Sequence, residues 1–407
     1  MSLSSTSSSE MKEFEPHGPV SFMRRLALFA LPLLCIFAAL EWMLWHTGDS
    51  LPVARIHKQQ TRLADTLYGR RYFSQQFNVY KMAGIRLRKP TILVIGSSRV
   101  MQFRDLMFAP LQREFYNAGG ILQNAFDLRA FSELVVAGEI PLPRILIAGI
   151  DPWWLKKGYG EATWLHDPDE AYSPAAHVSA LRQILSSGGQ LADLFADYRL
   201  PARTLSGQLG MGSLARRNSS GFRGDGSKHP PLEVLLDYAR SPGYVDRESP
   251  PVIERIIRHG KPFSLPAVVD EARVQLMVES LAAIKKQGVE VYAFLPPFSS
   301  AAFAALEQDR ELAPWWRYYT ENLPRALKRQ GIEVISIQRP ADLGLDDRFM
   351  LDGFHPSEVF IAQVVRSLLE LAPASSLLQG VDLTLLEQRV EKAALPLSLE
   401  RPRLIKQ

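Results

Sequence analysis

Two kinds of apolar patterning divide this chain. Residues 26–45 form a nearly unbroken apolar run, whereas beyond residue 90 short apolar runs alternate with stretches whose apolar residues recur every three or four positions. At ~1.5 Å of rise per residue, a helix of that first run covers the roughly 30 Å hydrocarbon core of a bilayer. The pattern therefore predicts one transmembrane helix over 26–46. Trp42 and Trp45 fall where an interfacial aromatic belt belongs, and Pro32 permits a kink without preventing a span. Glu41 is the one charge, close to the far end. No small-residue cleavage site follows Trp45, which argues against a signal peptide. Arg24 and Arg25 precede the run, and the positive-inside rule puts the N-terminus in the cytoplasm and the rest of the chain outside it.

Downstream, runs at 91–95, 114–117, 144–150, 289–295 and 332–337 have strand length and are rich in β-branched and aromatic residues. Between them, 100–108, 123–137, 271–287, 315–330 and the stretch from 357 to about 371 carry helical spacing, with Pro324 disturbing the fourth. Strand, polar loop, helix, strand implies βαβ units, so the expected fold class is α/β with a mostly parallel sheet. The organisation expected is a disordered cytoplasmic tail over 1–25, the span, a polar juxtamembrane connector over 47–89, and an α/β domain over 90–372. A weakly periodic insertion interrupts that domain at about 155–266, and a C-terminal tail fills 373–407, with a short amphipathic helix near 383–393. An insertion of this length reads as a lid or substrate-contacting subdomain. Its loop 221–227 fails as a phosphate loop, lacking both a following helix and the lysine–hydroxyl ending.

Composition removes some options. A net charge of +4 over 407 residues, with no long basic run, disfavours a nucleic-acid partner. The single cysteine, Cys35, excludes an internal disulfide and a cysteine-based metal site. Chemistry concentrates at the expected strand ends: Gly96-Ser97-Ser98-Arg99 after the first, Asn117-Ala118-Gly119-Gly120 after the second, and Gly149-Ile150-Asp151 after the third. Ligands of open α/β sheets bind outside the carboxyl ends of the strands, and a serine there beside a helix N-terminus is placed for nucleophilic attack. A plain N-cap role for Ser97 or Ser98 is the competing reading. Asp352 and His355, three residues apart before Pro356, can supply an oriented general base, or Asp352 can simply cap the next helix.

This ordered set of blocks resembles the SGNH, or GDSL-like, hydrolase superfamily over roughly residues 90–155 and 270–372. The resemblance implies a three-layer α/β/α sandwich, flavodoxin-like, with about five strands. It implies Ser98 as nucleophile, His355 as base, Asp352 as its partner, and Gly119 as an oxyanion-hole donor. Ser97 stands where the family has aspartate, and Gly149-Ile150-Asp151 replaces Gly-x-Asn-Asp, so the asparagine donor is missing. Ser97, Arg99 and Asp151 are then expected near the oxyanion or substrate. The Gly-Ser-Ser variant with one N-terminal span is similar to the branch holding D-alanyl transfer proteins and alginate O-acetyltransferase-like proteins. That implies a serine acyltransferase or esterase in the periplasmic space, anchored in the inner membrane, acting on a cell-envelope glycan beside a membrane-bound O-acyltransferase, without metal or cofactor. A non-catalytic assembly factor and a lipase are the alternatives. Trp153, Trp154 and Trp164 are candidates for stacking on sugars.

Overall fold

The computed structural model describes residues 19–63, 65–73, 77–160, 165 and 173–400, so the first part of the expected tail and Trp164 lie outside the described residues. Among the described residues, strands are arranged in two sheets. The larger holds β2 (Ile92–Ile95), β3 (Phe115–Asn117), β4 (Ile145–Gly149), β8 (Glu290–Leu295) and β9 (Glu333–Ser336); the smaller holds β1 (Thr66–Tyr68), β5 (Leu209–Met211), β6 (Gly221–Phe222) and β7 (Lys228–His229).

The larger sheet has the order β3-β2-β4-β8-β9 and every pair is parallel. Its five strands are those the apolar runs predict, each within a residue or two. Leu93, Ile95, Leu146, Ala148, Val291 and Ala293 enter one apolar cluster with the helices Ala125–Val136 and Glu271–Lys286. Ile92, Val94, Ile145, Ile147, Tyr292 and Phe294 enter a second with Phe103 and the helix Glu358–Leu371. Burial on both faces explains why the runs are continuous rather than alternating. The chain leaves β2 for β3 on one side and β4 for β8 on the other, so the order reverses beside the end of β2. Crevices at such switch points are where open α/β sheets bind ligands.

Two helical expectations change. Residues 100–108 form no helix but two 3-10 turns, Ser98–Val100 and Asp105–Phe108. Asn117 Nδ2 takes the Val100 and Phe103 carbonyls at 2.8 and 2.9 Å, which removes the acceptors an α-helix would use there. The segment expected at 315–330 is helical throughout but passes through a π-turn, Tyr318–Asn322, before Leu323–Arg329. Pro324 has no N–H to offer the preceding turn, and the wider turn accommodates this.

The stretch 47–89 does more than connect. It supplies β1, which pairs in parallel with β5 and antiparallel with β6 of the insertion. Ile56, Leu67, Tyr68, Tyr80 and Ile85 are fully buried. Lys81, also fully buried, donates to the Asn117 carbonyl at 2.9 Å and to the Gly226 carbonyl, which ties the helix Asn78–Arg88 to the end of β3 and to the 221–227 loop. The C-terminal stretch returns to the domain as well. Ser357 donates to the Pro396 carbonyl, and Glu358 accepts from Ser398 and from the Leu399 N–H.

The apolar N-terminal run is one helix, Pro19–Thr47, long and apolar enough to cross a membrane. It is exposed along residues 22–29 and 31–39. From Leu40 onward it packs: Leu40, Met43 and Leu44 join Ala180, Leu181, Ile184 and Leu194 of the insertion.

Candidate active site

The turn after β2 separates the roles of its two hydroxyls. Ser97 Oγ accepts from the Arg99 N–H at 3.2 Å and caps the 3-10 turn, while Ser98 is exposed. Gly96 allows this turn: its φ is +147°, and a Cβ there would meet the Gly149 carbonyl oxygen at 3.0 Å. Among the described hydrogen bonds, none uses the Ser98 N–H as donor.

Ser98 Oγ lies 2.8 Å from His355 Nε2. His355 Nδ1 in turn lies 2.8 Å from Asp352 Oδ2 and 2.9 Å from Oδ1. Asp352 also accepts the backbone N–H groups of Phe354 and His355, at 3.0 and 2.9 Å. One carboxylate therefore shapes the loop and orients the ring, while Ser357 caps the helix that follows. Burial alone would raise the Asp352 carboxyl. The His355 imidazole and the hydrogen bonds it accepts outweigh that and hold it below its ordinary range. Hydroxyl, imidazole and carboxylate are thus in register, an arrangement that can activate a serine hydroxyl.

The other expected site residues lie beneath this surface. Arg99 is 1 % exposed and donates to the carbonyls of Phe354 (3.0 Å), Pro296 (2.9 Å) and Pro297, and to Asp151 Oδ1 at 3.3 Å. Its guanidinium stands 4.4 Å from the Phe298 ring centroid and 5.4 Å from that of Trp153. Asp151 is fully buried; burial pushes its carboxyl up, against the pull of Arg99 and Ser97. Arg99 and Asp151 therefore rivet the strand ends together and have no surface left for substrate. The Gly119 N–H donates to Asn117 Oδ1 at 2.7 Å, so it is engaged inside the protein rather than presented to an oxyanion. Trp153 and Trp154 are buried in the core and offer no sugar platform.

A cavity of about 190 Å³ opens beside Ser98 and His355. Residues of the insertion form one wall of it, including Lys228, Pro230, Val234, Arg247 and Glu248, which sequence reasoning did not single out. Gln102 lines it too, only 5 % exposed and with no protein partner for its Oε1. Its place four residues after Ser98, on the same turn, is the one signal the sequence held. Glu248, Asp352 and His355 bring ligand atoms within 4.8 Å of one another, as a metal site would need. Asp352 already occupies His355 Nδ1, however, and Arg255 binds Glu248 at 2.9 Å. The set is better suited to moving a proton than to holding a cation.

No protein-family model matches this chain, and no curated protein matches it.

Proposed function

We propose that the protein is a membrane-anchored serine acyltransferase or esterase of the SGNH type, a three-layer α/β/α sandwich acting on an extracytoplasmic glycan. The observation that carries this reading is the unbroken chain from Ser98 Oγ through His355 to Asp352 at the switch point of the sheet. Ser98 Oγ bonds to the acyl carbon as His355 Nε2 takes its proton. The bond to the leaving group then breaks, and that group receives the proton from His355. A sugar hydroxyl or water, deprotonated by the same ring, attacks the acyl-enzyme and frees Ser98. The Ser98 N–H is the first oxyanion donor, and the Nε2 amide of Gln102, on the same cavity wall, is our candidate for the second. The N-terminus lies in the cytoplasm and the domain on the far face of the inner membrane, where a membrane-bound O-acyltransferase is a fitting acyl supplier.

Intact-mass measurement after incubation with an activated acetyl ester tests the assignment. One added acetyl group, lost in Ser98→Ala, is expected; no adduct, or one that survives the substitution, overturns it. The engaged Gly119 N–H favours a second reading, a non-catalytic assembly factor on the same fold. Full complementation of a deletion strain by His355→Ala would select that reading.

A further inference from the structure

The apolar helix Pro19–Thr47 is more than a tether, because part of the folded domain is built onto it. With Arg24 and Arg25 at the inner boundary and Trp45 at the outer one, Leu40 and Leu44 lie within roughly 8 Å of the outer boundary at ~1.5 Å per residue. Against those residues pack the helices Pro174–Ser186 and Gly188–Tyr198, through Ala180, Leu181, Ile184 and Leu194. At the same level Glu41 pairs with His177 Nδ1 at 2.9 Å, so the one acidic group of the apolar run has its partner on this helix pair.

The outward faces of the pair expose large apolar side chains, beside Ser179, Gln183 and Ser186 on the first helix. Val178 is 63 %, Phe195 49 % and Leu185 43 % exposed. Arg182 and Arg199 stand on the same faces, long enough to lift their charges to the headgroups. The opposite side of the second helix is clamped to the domain: Asp193 to Arg71 at 2.6 Å, and Asp197 to Arg217 and Tyr72 at 2.5 and 2.7 Å. The pair therefore cannot swing away from the anchor without breaking these bonds. A second observation sits beside it. In the helix Val53–Arg62 the side chains of Arg55, Lys58 and Arg62 are exposed, and the Arg55 guanidinium lies 5.0 Å over the Trp45 ring. A basic face joined to the boundary tryptophan belongs at the level of lipid phosphates.

We propose that the helix pair Pro174–Ser186 and Gly188–Tyr198 lies in the outer interface of the bilayer, immersed through Val178, Leu185 and Phe195, and so seats the domain at a fixed height. Interfacial helices sit about 5–10 Å into the headgroup and acyl boundary, the depth the packing on Leu40 and Leu44 imposes. The inference rests on reading Pro19–Thr47 as a membrane span.

The test uses the full chain, with Cys35→Ser, reconstituted in phosphatidylcholine–phosphatidylglycerol vesicles. Nitroxide labels are placed singly at Val178→Cys, Phe195→Cys, Leu33→Cys in the anchor and the exposed Glu139→Cys. Collision with oxygen, which partitions into lipid, is compared with collision with a water-soluble nickel complex. Positions 178 and 195 should show an oxygen preference above that of 139 and below that of 33. If they match 139 while 33 remains lipid-exposed, the seating is wrong and the span stands. If 33 also matches 139, the span itself fails, and the seating with it. Shielding of 178 and 195 from both reagents, relieved on dilution of the protein in lipid, would mean a second copy covers the face and would overturn the proposal.

Discussion

The two sheets are held together by different means. In the larger, four- to six-residue strands flanked by long periodic helices bury apolar side chains on both faces, and only β3 is shorter. In the smaller, strands of two or three residues bury only a small apolar cluster around Tyr68, Tyr80 and Phe222, and polar groups do much of the rest. Gln60 donates to the Phe222 carbonyl at 3.0 Å and accepts from Tyr80 at 2.8 Å, and Glu358 joins Arg223 at 2.6 Å and Arg104 at 3.3 Å. Burial of Glu358 is outweighed by these two arginines, and its carboxyl is held down at about 2. The first sheet presents Ser98 and His355, and the chain around the second supplies a wall of the cavity beside them. Under the proposed function, chemistry sits on the apolar scaffold and selection of substrate on the polar one.

Substitutions can break this contrast. The largest effect should come at the exposed end of the apolar scaffold: Ser98→Ala or His355→Ala should each lower acyl turnover by roughly 10⁴-fold or more. Ser98→Ala should leave the denaturant midpoint nearly unchanged, because that side chain is exposed, whereas His355→Ala also removes the partner of Asp352 and a contact with the Phe354 ring and should lower it modestly. Just beneath, the outcome should invert. Arg99→Leu strands Asp151 and three carbonyls without their donor, and loss of one member of a buried pair costs about 3–5 kcal/mol. Urea unfolding would measure it, and a loss under about 1 kcal/mol would contradict the rivet described above. On the polar scaffold, Lys81→Met keeps the stem but leaves the Asn117 and Gly226 carbonyls without their donor, an expected loss of ~1–3 kcal/mol.

The last expected change is a gain, and it depends on pH. Burial, and then the neighbouring Asp225, raise the Asp105 carboxyl from 3.8 to about 7. A carboxyl raised on folding is a cost that grows as pH rises from 3.8 toward 7 and is absent below that window. Asp105→Asn should therefore stabilise the fold at pH 8 and change little at pH 3.5. Equal shifts in melting temperature at both values would show that Asp105 does not carry this cost.

The same contrast governs what the sequence revealed. A run such as Thr-Ile-Leu-Val-Ile at 91–95 announces its own burial, so the five parallel strands were legible, and so were the polar residues at their ends. Ser98, Asp352 and His355 stood out because the chemistry that unites them needs only a strand end and one loop. The stretch 47–89 looked polar because its inward side chains include His57, Gln60, Arg70 and Lys81, and Gln60 and Lys81 find partners in distant segments. Strands as short as Lys228–His229 carry no period to read. Gly119 and Arg99 misled for a related reason: a turn of the right composition does not reveal whether its donors face a ligand or a neighbouring side chain.

Arg99 has a further consequence for heat inactivation. It follows Ser98 directly, and its guanidinium grips the carbonyl of Phe354, the residue before His355. Hydroxyl and imidazole are thus geared to one another by a single side chain, and neither loop can drift while that side chain stays in place. If the proposed activity holds, it should vanish abruptly, in one step with the cooperative melting of the domain, and not decline gradually on warming.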